Sequence, residues 1–277
     1  MKKLTLALAA FLTFLFTDAQ MLNTPAPSTT QTVKQGFGLG NVELSYSRPS
    51  AKGRTIMGNL VPFDKVWRTG ANQATVITFS DDVTIGGTAV KAGKYGLLTI
   101  PGATEWTIII TKDLNVTSPS AYKQENDVVR VKSQVHNLPM KIETFTILMG
   151  EISNTSMEIG LMWENVYTGF KVTTDVDTKV MKQIDDVMNK DTKPYYNAAA
   201  YYYDNGKDLK KAQEWIDKAI AANPSAFWMT LLKAKILAKQ GDKTGAKAMC
   251  DKTIELATTA KNDDYIKMAN DLKASLK

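Results

Sequence analysis

The sequence predicts a multidomain β plus α protein, in which an antiparallel β-sandwich-like domain precedes a short all-α domain. From Val42 to about Thr173 apolar and polar residues alternate, and β-branched and aromatic residues are frequent, as in strands with one buried face. After about Asp175 the apolar residues recur at helical spacing instead. A 34-residue spacing between Ala212 and Ala246 further indicates that the helices repeat a common unit.

The N-terminus has the pattern of a secretory signal peptide. Lys2 and Lys3 precede an uncharged apolar run, Leu4–Phe16, and Ala19 is the expected cleavage point. The run is shorter than the ~20 residues that a transmembrane helix needs. We therefore expect an exported protein, periplasmic or secreted, with no transmembrane segment in the mature chain; an uncleaved membrane tether is the alternative.

The composition limits the possible chemistry. The 277 residues include 34 Lys and Arg, 28 Asp and Glu, one His and one Cys. One His and one Cys exclude a zinc site of His and Cys ligands, an iron–sulfur cluster and an intrachain disulfide, so we expect no metal centre and no cofactor. The net charge of +6 is modest, and together with export it argues against a nucleic-acid partner.

The patterns divide the chain into five segments. They are a signal peptide at 1–19, a flexible mature N-terminus at 20–32, the β-sandwich-like domain at 33–174, a connecting helix at 175–192 and the helical tail at 193–277. The connecting helix follows from the spacing of Val176, Val180 and Ile184, with Thr174 or Asp175 as its N-cap.

Nine short strands are predicted in the β domain, separated by turn residues. They are Val42–Ser47, Thr75–Phe79, Val83–Ile85, Tyr95–Ile100, Trp106–Thr111, Val128–Lys132, Phe145–Met149, Met157–Trp163 and Gly169–Val172. Gly86-Gly87 predicts a tight hairpin, and Pro101-Gly102 and Ser153-Asn154-Thr155 predict further reversals. Because no helical pattern interrupts these strands, a sandwich or a barrel is expected, and we favour the sandwich.

Five helices are predicted in the tail. They are Tyr195–Tyr203, Leu209–Ala221, Ala226–Lys239, Lys243–Ala257 and Asp263–Leu276. In both units a Gly, Gly206 or Gly241, precedes a small residue, Ala212 or Ala246, where two helices must approach closely. This pattern resembles the tetratricopeptide repeat. A plain helical bundle is the alternative, and in either case Cys250 is predicted to be buried.

Five blocks of the β domain carry a family resemblance. They are Tyr46 to Arg54, Leu60 to Asn72, Ala92 to Gly102, Glu105-Trp106 and Trp163-Glu164-Asn165. Together these blocks resemble the domain of unknown function 2911 family over roughly residues 33–173. The resemblance implies an exported protein of the Bacteroidetes type, often with a helical repeat tail. It supplies no activity, substrate or catalytic residue.

The segment from Arg48 to Asn72 holds candidate ligand-binding residues. They are Arg48, Lys52, Arg54, Trp67, Arg68 and Asn72. Arg side chains bind carboxylate or phosphate through paired hydrogen bonds, and Trp offers a stacking face for sugars, so an anionic or glycan ligand is possible. In the alternative interpretation, the same side chains brace the sandwich by pairing with backbone carbonyls.

Four aromatic residues of the tail are candidates for binding a protein partner: Tyr195, Tyr202, Trp215 and Trp228. Exposed aromatic side chains on stacked helices can form a peptide-binding face. Packing within the tail is the alternative for each of them.

We therefore expect a non-enzymatic binding or protein-interaction module of the cell envelope. Binding of a small anionic ligand or carbohydrate at the Arg48–Asn72 loop is one alternative, and hydrolysis of an envelope polymer is another. Glu105 and Glu164 could flank a glycosidic bond, but no catalytic motif marks them, and neither a nucleophile elbow nor a phosphate-binding Gly loop is present. These absences favour a protein that is not an enzyme.

Overall fold

The computed structural model describes residues 24–190 and 193–277. The predicted signal peptide, 1–19, lies outside these residues. The chain divides into two compact units, and the division falls between Asp175 and Val176. No helix in the described part of the chain is both long and apolar enough to cross a membrane.

The described residues of the first unit, 24–175, form ten antiparallel strands in two sheets. The strands are β1 (Thr29–Phe37), β2 (Gly40–Arg48), β3 (Thr75–Phe79), β4 (Val83–Ile85), β5 (Thr88–Val90), β6 (Gly93–Ile100), β7 (Glu105–Thr111), β8 (Asp127–Gln134), β9 (His136–Gly150) and β10 (Ser156–Thr173). One sheet has the order β1-β2-β3-β6-β7-β8, and the other has the order β5-β4-β10-β9. This confirms the predicted β-sandwich-like fold.

The main core lies between the two sheets. The six-stranded sheet contributes Leu44, Ile77 and Ile108, and the four-stranded sheet contributes Phe145 and Trp163, all almost fully buried. A smaller cluster lies on the opposite face of the six-stranded sheet. It is formed by Ala74, Leu98, Ile109 and Val116, with Val66, Ile100 and Tyr122 packed against it. Strands β6 and β7 are therefore buried on both faces.

Strand β9 begins nine residues before the predicted Phe145, and three further features change the number of strands from the prediction. Strand β1 is additional: it begins at Thr29, and its polar composition hides its pairing with β2 along the sheet edge. Strand β5 is also additional, because of its three residues only Val90 is buried, so that the sequence Thr88-Ala89-Val90 shows no apolar alternation. The two strands predicted between Met157 and Val172 are a single strand, β10, whose alternation is interrupted where the register shifts on either side of Glu164.

Six helices are formed by the part of the second unit that the structure describes, 176–190 and 193–277. They are α1 (Asp177–Met188), α2 (Tyr195–Asp204), α3 (Leu209–Ala222), α4 (Phe227–Gln240), α5 (Lys243–Thr259) and α6 (Asp263–Ser275). From α2 onward each helix packs against the next one along the chain. The side chains of Asp208, Asp242 and Asn262 cap the N-termini of α3, α5 and α6.

The predicted N-cap of the first helix is wrong, whereas the predicted burial of Cys250 is confirmed. Val176 occupies the cap position with helical dihedral angles and makes no side-chain capping bond. Thr174 does not cap the helix, since its hydroxyl donates a hydrogen bond to the carbonyl of Asp82. Cys250 has no exposed surface, and burial raises the pKa of its thiol.

Candidate functional site

Arg48 joins the end of β2 to the edge strand of the other sheet. Its Nε donates to the carbonyl of Phe145 at 3.1 Å, and its Nη2 donates to Thr146 Oγ1 at 2.8 Å. The neighbouring backbone continues this contact, because the Phe145 amide donates to the Pro49 carbonyl and the Ala51 amide donates to the Glu143 carbonyl. The segment after β2 therefore covers the edge of β9, and these contacts favour the bracing interpretation of Arg48.

Lys52 and Arg54 lie in the turn that follows. Arg54 donates from Nε to the carbonyl of Ala51 at 2.9 Å and from Nη2 to the carbonyl of Ser50 at 2.7 Å. The backbone amide of Lys52, at φ +50°, donates to the Glu143 carboxylate at 2.7 Å. The guanidinium of Arg54 thus holds its own loop in shape, and the side chain of Lys52 is exposed.

Trp67 belongs to the aromatic part of the main core. Its ring stacks on Trp163 with centroids 5.9 Å apart and contacts Phe145 edge-on at 5.0 Å. Its Nε1 donates to the carbonyl of Gly70 at 3.1 Å. Because Trp163 covers one ring face, that face is not available to a sugar.

Asn72 also has internal partners. It adopts the left-handed conformation, with φ +60°. Its Nδ2 donates to the carbonyl of Ser28 and to the hydroxyl of Ser47, both at 3.2 Å. The side chain therefore joins the chain segment before β1 to strand β2, as a structural residue would.

Arg68 differs from the other candidates because it lines a cavity. Nη1 donates to the carbonyl of Thr117, while Nε is buried and has no acceptor among the described residues. The cavity, called the loop pocket below, has a volume of about 200 Å³. Its apolar walls are formed by Leu60, Pro62, Val66, Val116 and Pro119. Lys65 and Arg68 are the cations that line it.

The loop pocket is formed by two segments that are far apart in the sequence, and the sequence alone does not reveal it. Val116 and Pro119 lie about fifty residues after Arg68, in the connection between β7 and β8. Both loops fold over the outer face of β6 and β7, where Leu98 and Ile109 are buried. The unbroken apolar runs Leu97-Leu98 and Ile108-Ile109-Ile110 are the signal that this face is covered.

The two carboxylates considered for hydrolysis each have structural partners. Glu164 Oε2 accepts hydrogen bonds from the amides of Ile56 and Met57, both at 3.0 Å. Glu105 pairs with Lys132 at 3.1 Å and accepts a hydrogen bond from Gln134. In residues 24–190 and 193–277, no group of three or more His, Cys, Asp or Glu side chains could hold a metal ion.

The four aromatic candidates of the tail lie in two different parts of the helical unit. Tyr202 and Trp215 are buried and pack edge to face with centroids 4.8 Å apart. Tyr195 is half-buried against the same cluster. Trp228 lies elsewhere, beside Phe227 on α4.

A cavity of about 320 Å³, the tail pocket, lies beside Tyr195 and Trp215. Helices α1 and α3 line it, with the N-terminus of α2. Lys211 Nζ lies 5.0 Å from the centroid of the Trp215 ring, and Lys218 Nζ lies 5.6 Å from that of Tyr195. Lys218 also pairs with Glu214, and this hydrogen bond raises the pKa of the ammonium and lowers that of the carboxyl.

The charge of the tail pocket is predominantly positive. Among the described residues, three lysines line it, Lys193, Lys211 and Lys218, against one carboxylate, Asp185, and Lys218 is itself paired with Glu214. A second cavity of about 230 Å³ adjoins it and shares Lys193 and Tyr195. Its remaining lining is largely apolar and includes Pro194, Ala219, Ala222 and Met229. A cationic cavity and a largely apolar cavity therefore meet at Tyr195.

Comparison with known proteins confirms the family resemblance. The family described as "Protein of unknown function (DUF2911)" matches residues 28–172, which are more than half of the chain. The protein therefore belongs to the DUF2911 family, and the matched region ends three residues before the β unit does. No curated protein and no solved structure matches the chain.

Proposed function

We propose that this DUF2911 protein is an exported, non-enzymatic binding protein of the cell envelope, whose helical tail docks a protein partner at the tail pocket. The single observation that carries the proposal is that the cationic tail pocket and the largely apolar second cavity adjoin at the half-buried Tyr195. Export rests on the basic and apolar pattern of residues 1–19. The Bacteroidetes origin rests on the family resemblance.

The chemistry of the two cavities indicates which side chains the partner would present. Lys193 and Lys211 would attract acidic side chains, and the apolar surface around Met229 would take aliphatic or aromatic ones. Aromatic and methionine side chains at the centre of a contact, with charged groups around them, are typical of protein interfaces. The partner is thus expected to present acidic and apolar residues side by side.

We further propose that the tail is tetratricopeptide-like. Ala212 on α3 and Ala246 on α5, 34 residues apart, are both completely buried, as expected of equivalent positions in two units. Gly206 and Gly241, at the turns before these helices, both have positive φ. The neighbour-to-neighbour packing of α2 to α6 supports the same assignment.

Photo-crosslinking in the native host tests the docking site. A photoreactive phenylalanine analogue in place of Tyr195 should capture a discrete partner, which is then identified and purified. With that partner, Lys211→Glu should weaken binding at least about tenfold, since it reverses a charge at the site, and wild-type affinity should fall as salt rises. Lys247→Glu, an exposed reversal on α5, is the matched control and should bind normally.

Equal binding by Lys211→Glu and Lys247→Glu would refute docking at the tail pocket. Export is tested separately by the intact mass of protein recovered outside the cytoplasm. Cleavage near Ala19 predicts a chain that lacks the first 19 residues, and a mass that includes Met1 would contradict it.

A further inference from the structure

The loop pocket of the β unit holds two positive charges, and no carboxylate is among the described residues that line it. Neither Lys65 nor Arg68 forms an ion pair with any residue that the structure describes. The Arg68 guanidinium is half-buried, with one hydrogen bond to the Thr117 carbonyl and a buried Nε that lacks an acceptor. A partly buried cation with incomplete hydrogen bonding is unfavourable unless an anion compensates it.

The body of the pocket is apolar and small. Leu60, Val66, Val116 and Pro119 form its walls, and Leu60 remains 44% exposed at its rim. A volume of about 200 Å³ lies below the roughly 300 Å³ at which pockets for drug-sized ligands begin. The pocket therefore suits a ligand smaller than a typical drug molecule.

We propose that the loop pocket binds a small carboxylic acid with an apolar body. The carboxylate would lie beside the Lys65 ammonium and the exposed part of the Arg68 guanidinium, and the hydrocarbon would lie against Val66 and Val116. This site lies wholly within the β unit, and it does not depend on the partner proposed for the tail. Of the candidate residues predicted in the Arg48–Asn72 loop, Arg68 and Trp67 line this site.

Hexanoate is a suitable probe because it joins a carboxylate to a short apolar chain. Titration of the mature full chain, followed by two-dimensional amide NMR, should shift the resonances of Val66, Arg68 and Thr117. Hexanol, which lacks the charge, and acetate, which lacks the chain, should each bind at least about tenfold more weakly. An equal affinity for hexanol would show apolar binding without charge recognition and would overturn the proposal.

Substitution of Lys65 tests the site without risk to the fold, because Lys65 is exposed and has no ion pair with a described residue. Lys65→Glu should weaken hexanoate binding about tenfold or more. Lys52→Glu is the matched control, since Lys52 is also an exposed lysine of this loop but does not line the pocket. The absence of hexanoate binding by the wild type, or its equal binding by Lys65→Glu, would refute the site.

Discussion

The two units use their aromatic residues in different ways. In the β unit Trp67, Trp163 and Phe145 form one cluster that closes the space between two sheets. In the helical unit the buried positions at helix contacts are mostly small, such as Ala199, Ala212 and Ala246, and they fall into separate clusters. The β unit thus depends on contacts between residues far apart in sequence, whereas the helical unit depends on neighbouring helices.

The difference shows which candidate residues remain available for binding. In the β unit, Arg48, Arg54 and Asn72 bind backbone carbonyls, and Trp67 is stacked on Trp163. In the helical unit, lysine ammonium groups and the half-buried Tyr195 surround an open cavity. An aromatic or basic residue is therefore a weak indicator of a binding site until its partners are known.

The largest expected effect is the loss of the aromatic cluster. Trp163→Ala should lower the free energy of unfolding by about 3–5 kcal/mol, because it leaves a cavity between the sheets and removes the indole bond to the Glu143 carbonyl. Trp228→Ala, which removes a half-buried indole from α4, should cost less. Urea denaturation followed by circular dichroism measures both, and equal losses would contradict the contrast between the units.

Arg48 provides the next test, since it links the two sheets. Arg48→Ala should cost about 2 kcal/mol, because it removes two charge-assisted hydrogen bonds to β9. Arg54→Ala should cost less, as Arg54 is exposed and bonds only within its own loop. The thermal midpoints of the two variants compare these roles, and an unchanged midpoint for Arg48→Ala would argue against bracing.

Close helix packing can be tested by enlarging a small residue. Ala212→Leu should destabilise the helical unit by about 1–3 kcal/mol, because Ala212 is completely buried and a larger side chain would overpack the helix contact. Ala221→Leu, an exposed position on the same helix, is the control and should change stability little. If both variants unfold at the same urea concentration as the wild type, the small residues do not determine the packing.

The smallest effect concerns acid sensitivity. Lys207 and Tyr201 donate hydrogen bonds to Asp177, and these bonds lower the pKa of its carboxyl. A lowered pKa in the folded state gives stability that is present above the ordinary pKa and is lost as the pH falls through the folded value. The stability difference between wild type and Asp177→Asn should therefore be full near neutral pH, begin to decline as the pH approaches the ordinary carboxyl pKa of about 4, and be lost only below the lowered pKa of the folded state.

Urea midpoints at pH 7, 5 and 3 would measure that difference. Asp186→Asn, an exposed change on the same helix, serves as the control. A difference that stays constant down to pH 3 would show that the ionised carboxyl contributes nothing.

The sequence predicted the helices more closely than the strands. The predicted Leu209–Ala221 and the observed Leu209–Ala222 differ by one residue, because the helical period and the cap at Asp208 are local features. Strand β1 was missed because an edge strand made of Thr, Gln and Lys has little apolar alternation. Strand β10 was divided in two because the irregularity at Glu164 resembles a turn when seen without its partner strand.

The candidate sites show the same limit. The sequence identifies the Arg48–Asn72 loop as basic, but it does not distinguish the roles of its arginines. The contacts do: Arg48 and Arg54 bind backbone carbonyls of the sandwich and its loop, whereas Arg68 lines a pocket. In the tail, Tyr195 and Trp215 were predicted, while Lys211 and Lys218 were not, because lysines on a helix usually belong to the solvated surface.

By itself the sequence determined the class of each unit, the turns and the family, since periodicity, turn residues and motifs are properties of short segments. The tertiary structure decided what no short segment contains. It brought Val116 and Pro119 to Arg68, placed Trp67 against Trp163, and left the lysines of α3 around a cavity. The physical reason is that a hydrogen bond or a cavity wall depends on which distant residues the chain brings together.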